Sequence, residues 1–101
     1  MITEPDDFQS RLRVLLGLQG AVLTEEELSH AAESYLRCPG KEQWNVREYA
    51  RRTGAGAREY RVVRGTGSED VYRSVERARA DAVGSALNEL ESQETSGRPR
   101  P

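Results

Sequence analysis

Residues 44–64 read Trp-Asn-Val-Arg-Glu-Tyr-Ala-Arg-Arg-Thr-Gly-Ala-Gly-Ala-Arg-Glu-Tyr-Arg-Val-Val-Arg, and the fold turns on whether they form strands or helices. Read as strands, they make a β-hairpin turning at Thr53-Gly54-Ala55-Gly56. The flanks are rich in Trp, Val and Tyr, and glycine supplies the positive φ that tight turns need. A four-residue loop would set Tyr49 opposite Tyr60, Val46 opposite Val63 and Glu48 opposite Arg61. A three-residue loop from Gly54 to Gly56 would set Ala50 opposite Tyr60 and Arg51 opposite Glu59. A one-residue slip exchanges the two faces, so the register stays open at this stage.

Read as helices, 45–52 and 56–64 resemble a helix-turn-helix. Ala50, Gly54 four residues later, and apolar Tyr49, Tyr60 and Val63 match that motif's small, turn and core positions. The resemblance covers about 20 residues and implies an all-α fold with 56–64 as a recognition helix. Against it, a helix opening on Gly56-Ala57 has weak propensity. The run Tyr60-Arg61-Val62-Val63 prefers a strand. The hairpin is the expected structure and the helix-turn-helix its alternative.

Outward from this stretch the helical signals are plainer. Phe8, Leu12, Leu15 and Leu16 form one apolar stripe over 6–18, with Pro5, Asp6 and Asp7 suited to a helix start and Gly17 and Gly20 to its end. Thr24-Glu25-Glu26-Glu27 is a capping box, opening a helix that carries Leu28, Ala31, Ala32, Tyr35 and Leu36 and stops at Cys38-Pro39-Gly40. Beyond the hairpin, Ser68 as N-cap with Glu69 and Asp70 in the first turn predicts a helix over 69–90. Its stripe would be Val71, Val75, Ala78, Ala82, Ala86 and Leu90. Residues 92–101 have no apolar anchor and read as a disordered tail, leaving 1–91 as the single domain. The expected fold class is α+β: two N-terminal helices, a hairpin at about 44–64 and a long C-terminal helix.

The chain has 101 residues, 36% of them apolar, and a net charge of −2, which fits a small domain rather than a disordered chain. No apolar run approaches the roughly 18 residues of a membrane span, so no membrane partner is expected. The acidic start from Met1 to Asp7 lacks the basic region of a secretion signal, and a lone Cys38 fits a reducing cytoplasm. The charge is unevenly placed. Residues 1–40 carry net −4, residues 41–64 net +4 and residues 65–101 net −2.

Few residues suit chemistry. His30 is the only histidine, and Glu27-Leu28-Ser29-His30 is a single Glu-x-x-His, whereas a di-metal bundle needs two and a zinc site three or four ligands. Cys38 would need a base and a lowered pKa to act as a nucleophile. Gly65-Thr66-Gly67-Ser68 lacks the third glycine or the lysine of phosphate loops, and Glu69 and Asp70 would repel an anion there. No cofactor is expected, and a small enzyme around His30 ranks last.

The basic island of 44–64 interleaves arginines with aromatics, a composition suited to protein interfaces and to phosphate backbones. The candidate binding residues are Trp44, Arg47, Tyr49, Arg51, Arg52, Arg58, Tyr60, Arg61 and Arg64. The expected function is a small non-enzymatic regulator, adaptor or inhibitor acting on a protein partner. A nucleic-acid-binding regulator is the alternative. A homodimer is also expected, because Leu, Ile, Val and Phe number only 19 and the alanine-rich stretch 78–86 invites close helix contact.

Overall fold

The computed structural model describes residues 5–38, 40, 42–50, 58–67 and 69–96. The order is α1 (Pro5–Leu18), α2 (Glu25–Arg37), β1 (Trp44–Ala50), β2 (Arg58–Arg64), β3 (Asp70–Ser74) and α3 (Arg77–Ser96). The fold is α+β, with a three-stranded antiparallel sheet in the order β1-β2-β3. The helix-turn-helix is excluded, since both of its segments are strands.

The N-terminal helices follow from local chemistry. Gly20 at φ +74° ends α1: its N–H bonds the Gly17 carbonyl, and the Ala21 N–H bonds that of Leu16. This is the Schellman pattern, in which glycine takes the left-handed position without a Cβ clash. At α2 the Thr24 hydroxyl accepts from the Glu27 N–H at 3.1 Å, and the Glu27 carboxylate accepts from the Thr24 N–H at 2.9 Å.

Two expectations are corrected. Residues 70–74 form a strand, and α3 begins at Arg77 rather than 69. The apolar positions Val71, Val75 and Ala78 match a helical period, but a two-stranded hairpin is marginal in water, and pairing of Asp70–Ser74 with β2 supplies the third strand. The register also differs from both hairpin alternatives. Arg47 faces Arg61, Val46 faces Val62 and Glu48 faces Tyr60. This is one residue from the four-residue-loop register and two from the other, so only the latter has the observed face assignment. Residues 51–57, with the expected turn and with Arg51 and Arg52, lie outside the described residues. At the other end, α3 runs on to Ser96, into the stretch read as a tail.

Gly65 joins β2 to β3 at φ +55°, and the Gly67 N–H closes the turn on the Arg64 carbonyl. A register shift at Val62/Val63 makes a bulge in β3, so Val71 has no partner opposite it. The bulge lets successive residues Val71 and Tyr72 both enter the core.

One face of the sheet carries the helices. Phe8, Leu12 and Leu16 of α1, Leu28 and Ala32 of α2, Val62 of β2, and Val83, Leu87 and Leu90 of α3 form a continuous core. Gly84 of α3 faces the sheet, and a Cβ there would lie 3.6 Å from Val46 and 3.9 Å from Val62. Those are ordinary contact distances, and glycine costs a helix interior about 1 kcal/mol relative to alanine. Gly84→Ala is therefore expected to stabilise the protein by about 0.5–1 kcal/mol, raising Tm by a few degrees. A fall in Tm in thermal unfolding would show that the crossing tolerates no side chain.

Candidate binding surface

Strand alternation divides the nine candidate residues. Trp44, Arg58, Tyr60 and Arg64 share the helix-side column, whereas Arg47, Tyr49 and Arg61 stand on the outer face. Arg51 and Arg52 fall outside the described residues.

Trp44 and Arg64 are engaged inside the fold. Trp44 is 3% exposed and its indole N–H donates to Glu91 at 2.9 Å. The Arg64 guanidinium lies 4.3 Å from the Trp44 ring centroid and bonds Glu91 on α3. It also donates to the carbonyls of Cys38 and Glu42, each at 2.9 Å. Tyr35 stacks on Trp44 with ring centroids 5.9 Å apart and meets Phe8 in a tilted contact at 4.5 Å. This aromatic and charged cluster clasps α1, α2, the sheet and α3 at one end. It serves the fold, and the sequence pattern alone does not distinguish it from a surface patch.

The outer face has a different character. Arg47, Arg61 and Arg73 are consecutive Cα partners, one from each strand. Directly opposed residues on neighbouring strands lie about 4.5–5.5 Å apart, so three like charges stand in one row, an arrangement that destabilises a sheet. Carboxylates offset part of the cost. Glu59 pairs with Arg61 at 2.8 Å, and Asp70 pairs with Arg73 at 2.6 Å. Arg47 has no ion-pair partner among the described residues. Arg61 also lies 4.4 Å from the Tyr49 ring centroid, in cation–π range. Arg73 is the member that sequence reasoning missed, because its strand was read as helix. Burial raises the Asp70 carboxyl, but hydrogen bonding and charge from Arg73 outweigh this and hold it below the ordinary carboxylate range.

The sheet edges are finished by side chains. The Gly65 N–H bonds the Gln43 carbonyl, so the odd-numbered residues of β1 direct their backbone groups toward β2. Those of Trp44, Val46, Glu48 and Ala50 then point to the free edge. At Trp44 the Asn88 side chain closes that edge, its oxygen accepting from the N–H at 2.8 Å and its amide donating to the carbonyl at 3.1 Å. On the β3 edge, His30 Nε2 donates to the Asp70 carbonyl at 3.2 Å. The sole histidine thus has a place in the architecture.

Cys38 is half-buried. Burial, and then the charge and hydrogen bond of Glu69, push its thiol up against smaller opposing pulls from Arg64 and Arg37. A nucleophilic thiol needs the opposite shift. Among the described residues no three His, Cys, Asp or Glu side chains converge to hold a metal ion. No described helix is long and apolar enough to cross a membrane.

A second surface lies at the far end of the helices. Leu18 and Val22 are 79% and 81% exposed, beside an open groove lined in part by Gln19, Ala78 and Ala82. The alanine-rich stretch 78–86 is divided: Ala80, Val83 and Ala86 are buried in the fold, whereas Ala78 and Ala82 line this groove. Compared with known proteins, the chain matches no family model, no curated protein and no solved structure.

Proposed function

We propose that this is a small non-enzymatic binding protein that meets an acidic protein partner with the outer face of its sheet. The arginine row carries the reading. Three arginines in register across three strands cost stability, and no described helix bonds or pairs with them. Arginine and tyrosine are the residue types that anchor protein interfaces. Glu59 and Asp70 interrupt the row, which suits a partner with placed charges better than a uniform phosphate backbone. A regulator, adaptor or inhibitor could use such a face without any catalytic group.

The test titrates isotope-labelled protein with poly-L-glutamate and, separately, with a short random DNA duplex at physiological salt. Poly-L-glutamate should shift amides of 45–49, 59–63 and Arg73, and Arg47→Glu with Arg61→Glu should weaken binding at least about tenfold. Shifts confined to the helices would overturn the reading. Tighter binding to the duplex, with a log–log salt slope near −2.7 for three phosphate contacts, would assign the face to nucleic acid instead.

A further inference from the structure

We propose that the free edge of β1 accepts an extended acidic segment of the partner as a fourth strand. This rests on the outer-face reading and adds a mode of docking to it. Two independent observations meet at the same place. The N–H and C=O groups of Val46, Glu48 and Ala50 point to the open edge, and no described group bonds them, whereas Trp44 at the start of the same edge is closed by Asn88. Arg47, which has no ion-pair partner among the described residues, stands on this same edge strand, while Arg61 on the central strand and Arg73 on the opposite edge are paired. An added strand would supply both missing complements at once.

The geometry fixes the chemistry of the occupant. Arg47 directs its own backbone groups inward to Arg61, so toward a fourth strand it occupies a non-hydrogen-bonded position, where opposed side chains approach most closely. A carboxylate opposite Arg47 extends the charge pattern of the face by one strand. The adjacent residues of the incoming segment turn to the helix side. One lies beside the half-buried Val46 and suits an aliphatic side chain; the other lies beside exposed Glu48 and suits a basic one. In an antiparallel segment the order is basic, acidic, aliphatic. A second copy of this chain does not fit. Antiparallel pairing of β1 with itself brings Asn45, Arg47 or Tyr49 opposite Arg47, and none carries a negative charge.

The probe is the capped peptide Thr-Glu-Lys-Glu-Val-Glu-Thr, titrated into the full chain and followed by amide shifts and hydrogen exchange. Binding should protect the Val46 and Glu48 amides. N-methylation of the peptide's Val, whose N–H points at β1, should weaken it about tenfold, the effect of one lost hydrogen bond plus a steric block. N-methylation of the central Glu, whose N–H points away, should leave affinity within about twofold. Arg47→Ala should weaken binding, and Arg47→Lys should restore part of the loss. Outer-face binding that ignores both N-methylations would overturn strand addition while leaving the outer-face reading intact. Absence of binding, or shifts confined to the helices, would overturn both. Self-association with protection of the same two amides would make a second copy the occupant and overturn the proposal.

Discussion

Trp44→Ala is expected to cost about 3–5 kcal/mol of folding stability, the range for truncating a buried aromatic. The side chain is almost sealed from solvent, stacks on Tyr35, underlies Arg64 and donates to Glu91. Its loss opens a cavity between β1, Tyr35 of α2 and the end of α3. Domains of this size have about 5–15 kcal/mol in total, so the variant should be close to unfolding at physiological temperature. Urea denaturation should show a large fall in midpoint with little change in slope. A loss below about 1 kcal/mol would mean that the cluster closes over the gap.

Arg64→Ala is the companion experiment and should cost about 2–3 kcal/mol. That lies below the 3–5 kcal/mol for breaking a fully buried pair, because Glu91 keeps some contact with water. The guanidinium meets two carbonyls, one carboxylate and one indole face together, and a lysine ammonium does not reproduce that planar fork. Arg64→Lys should therefore recover less than half of the loss in the same measurement. Full recovery would show that charge, rather than shape, is what the site requires.

Where signals are local, they are legible from the residues. The Thr24 capping box, the Gly20 stop and the Phe8-Leu12-Leu16 stripe each state their structure within a few positions. The hairpin follows from the strand character of Tyr60–Val63. The third strand was hidden for a physical reason. Val71, Val75 and Ala78 happen to lie at helical spacing, and what holds Asp70–Ser74 extended is the partner strand β2, a tertiary effect that propensity does not contain. The same limit applies to the binding surface. Arg47, Tyr49, Arg61 and Arg64 all belong to the same basic, aromatic-studded stretch, and only the register separates the outer three from the one held over the Trp44 ring. Arg73 belongs to the row only because β2 holds its segment extended.

The side chains that close the sheet edges come from far along the chain: Trp44 and Asn88 are 44 positions apart, His30 and Asp70 40 apart. The hairpin can pair early, but the Trp44 end of its outer edge stays open until α3 exists and docks. At about 5–20 residues per second, a ribosome needs roughly 2–9 s to travel from Trp44 to Asn88. For that interval the whole of β1 is a template for any passing strand, and mutation at Asn88 would leave its Trp44 end exposed even after α3 has docked.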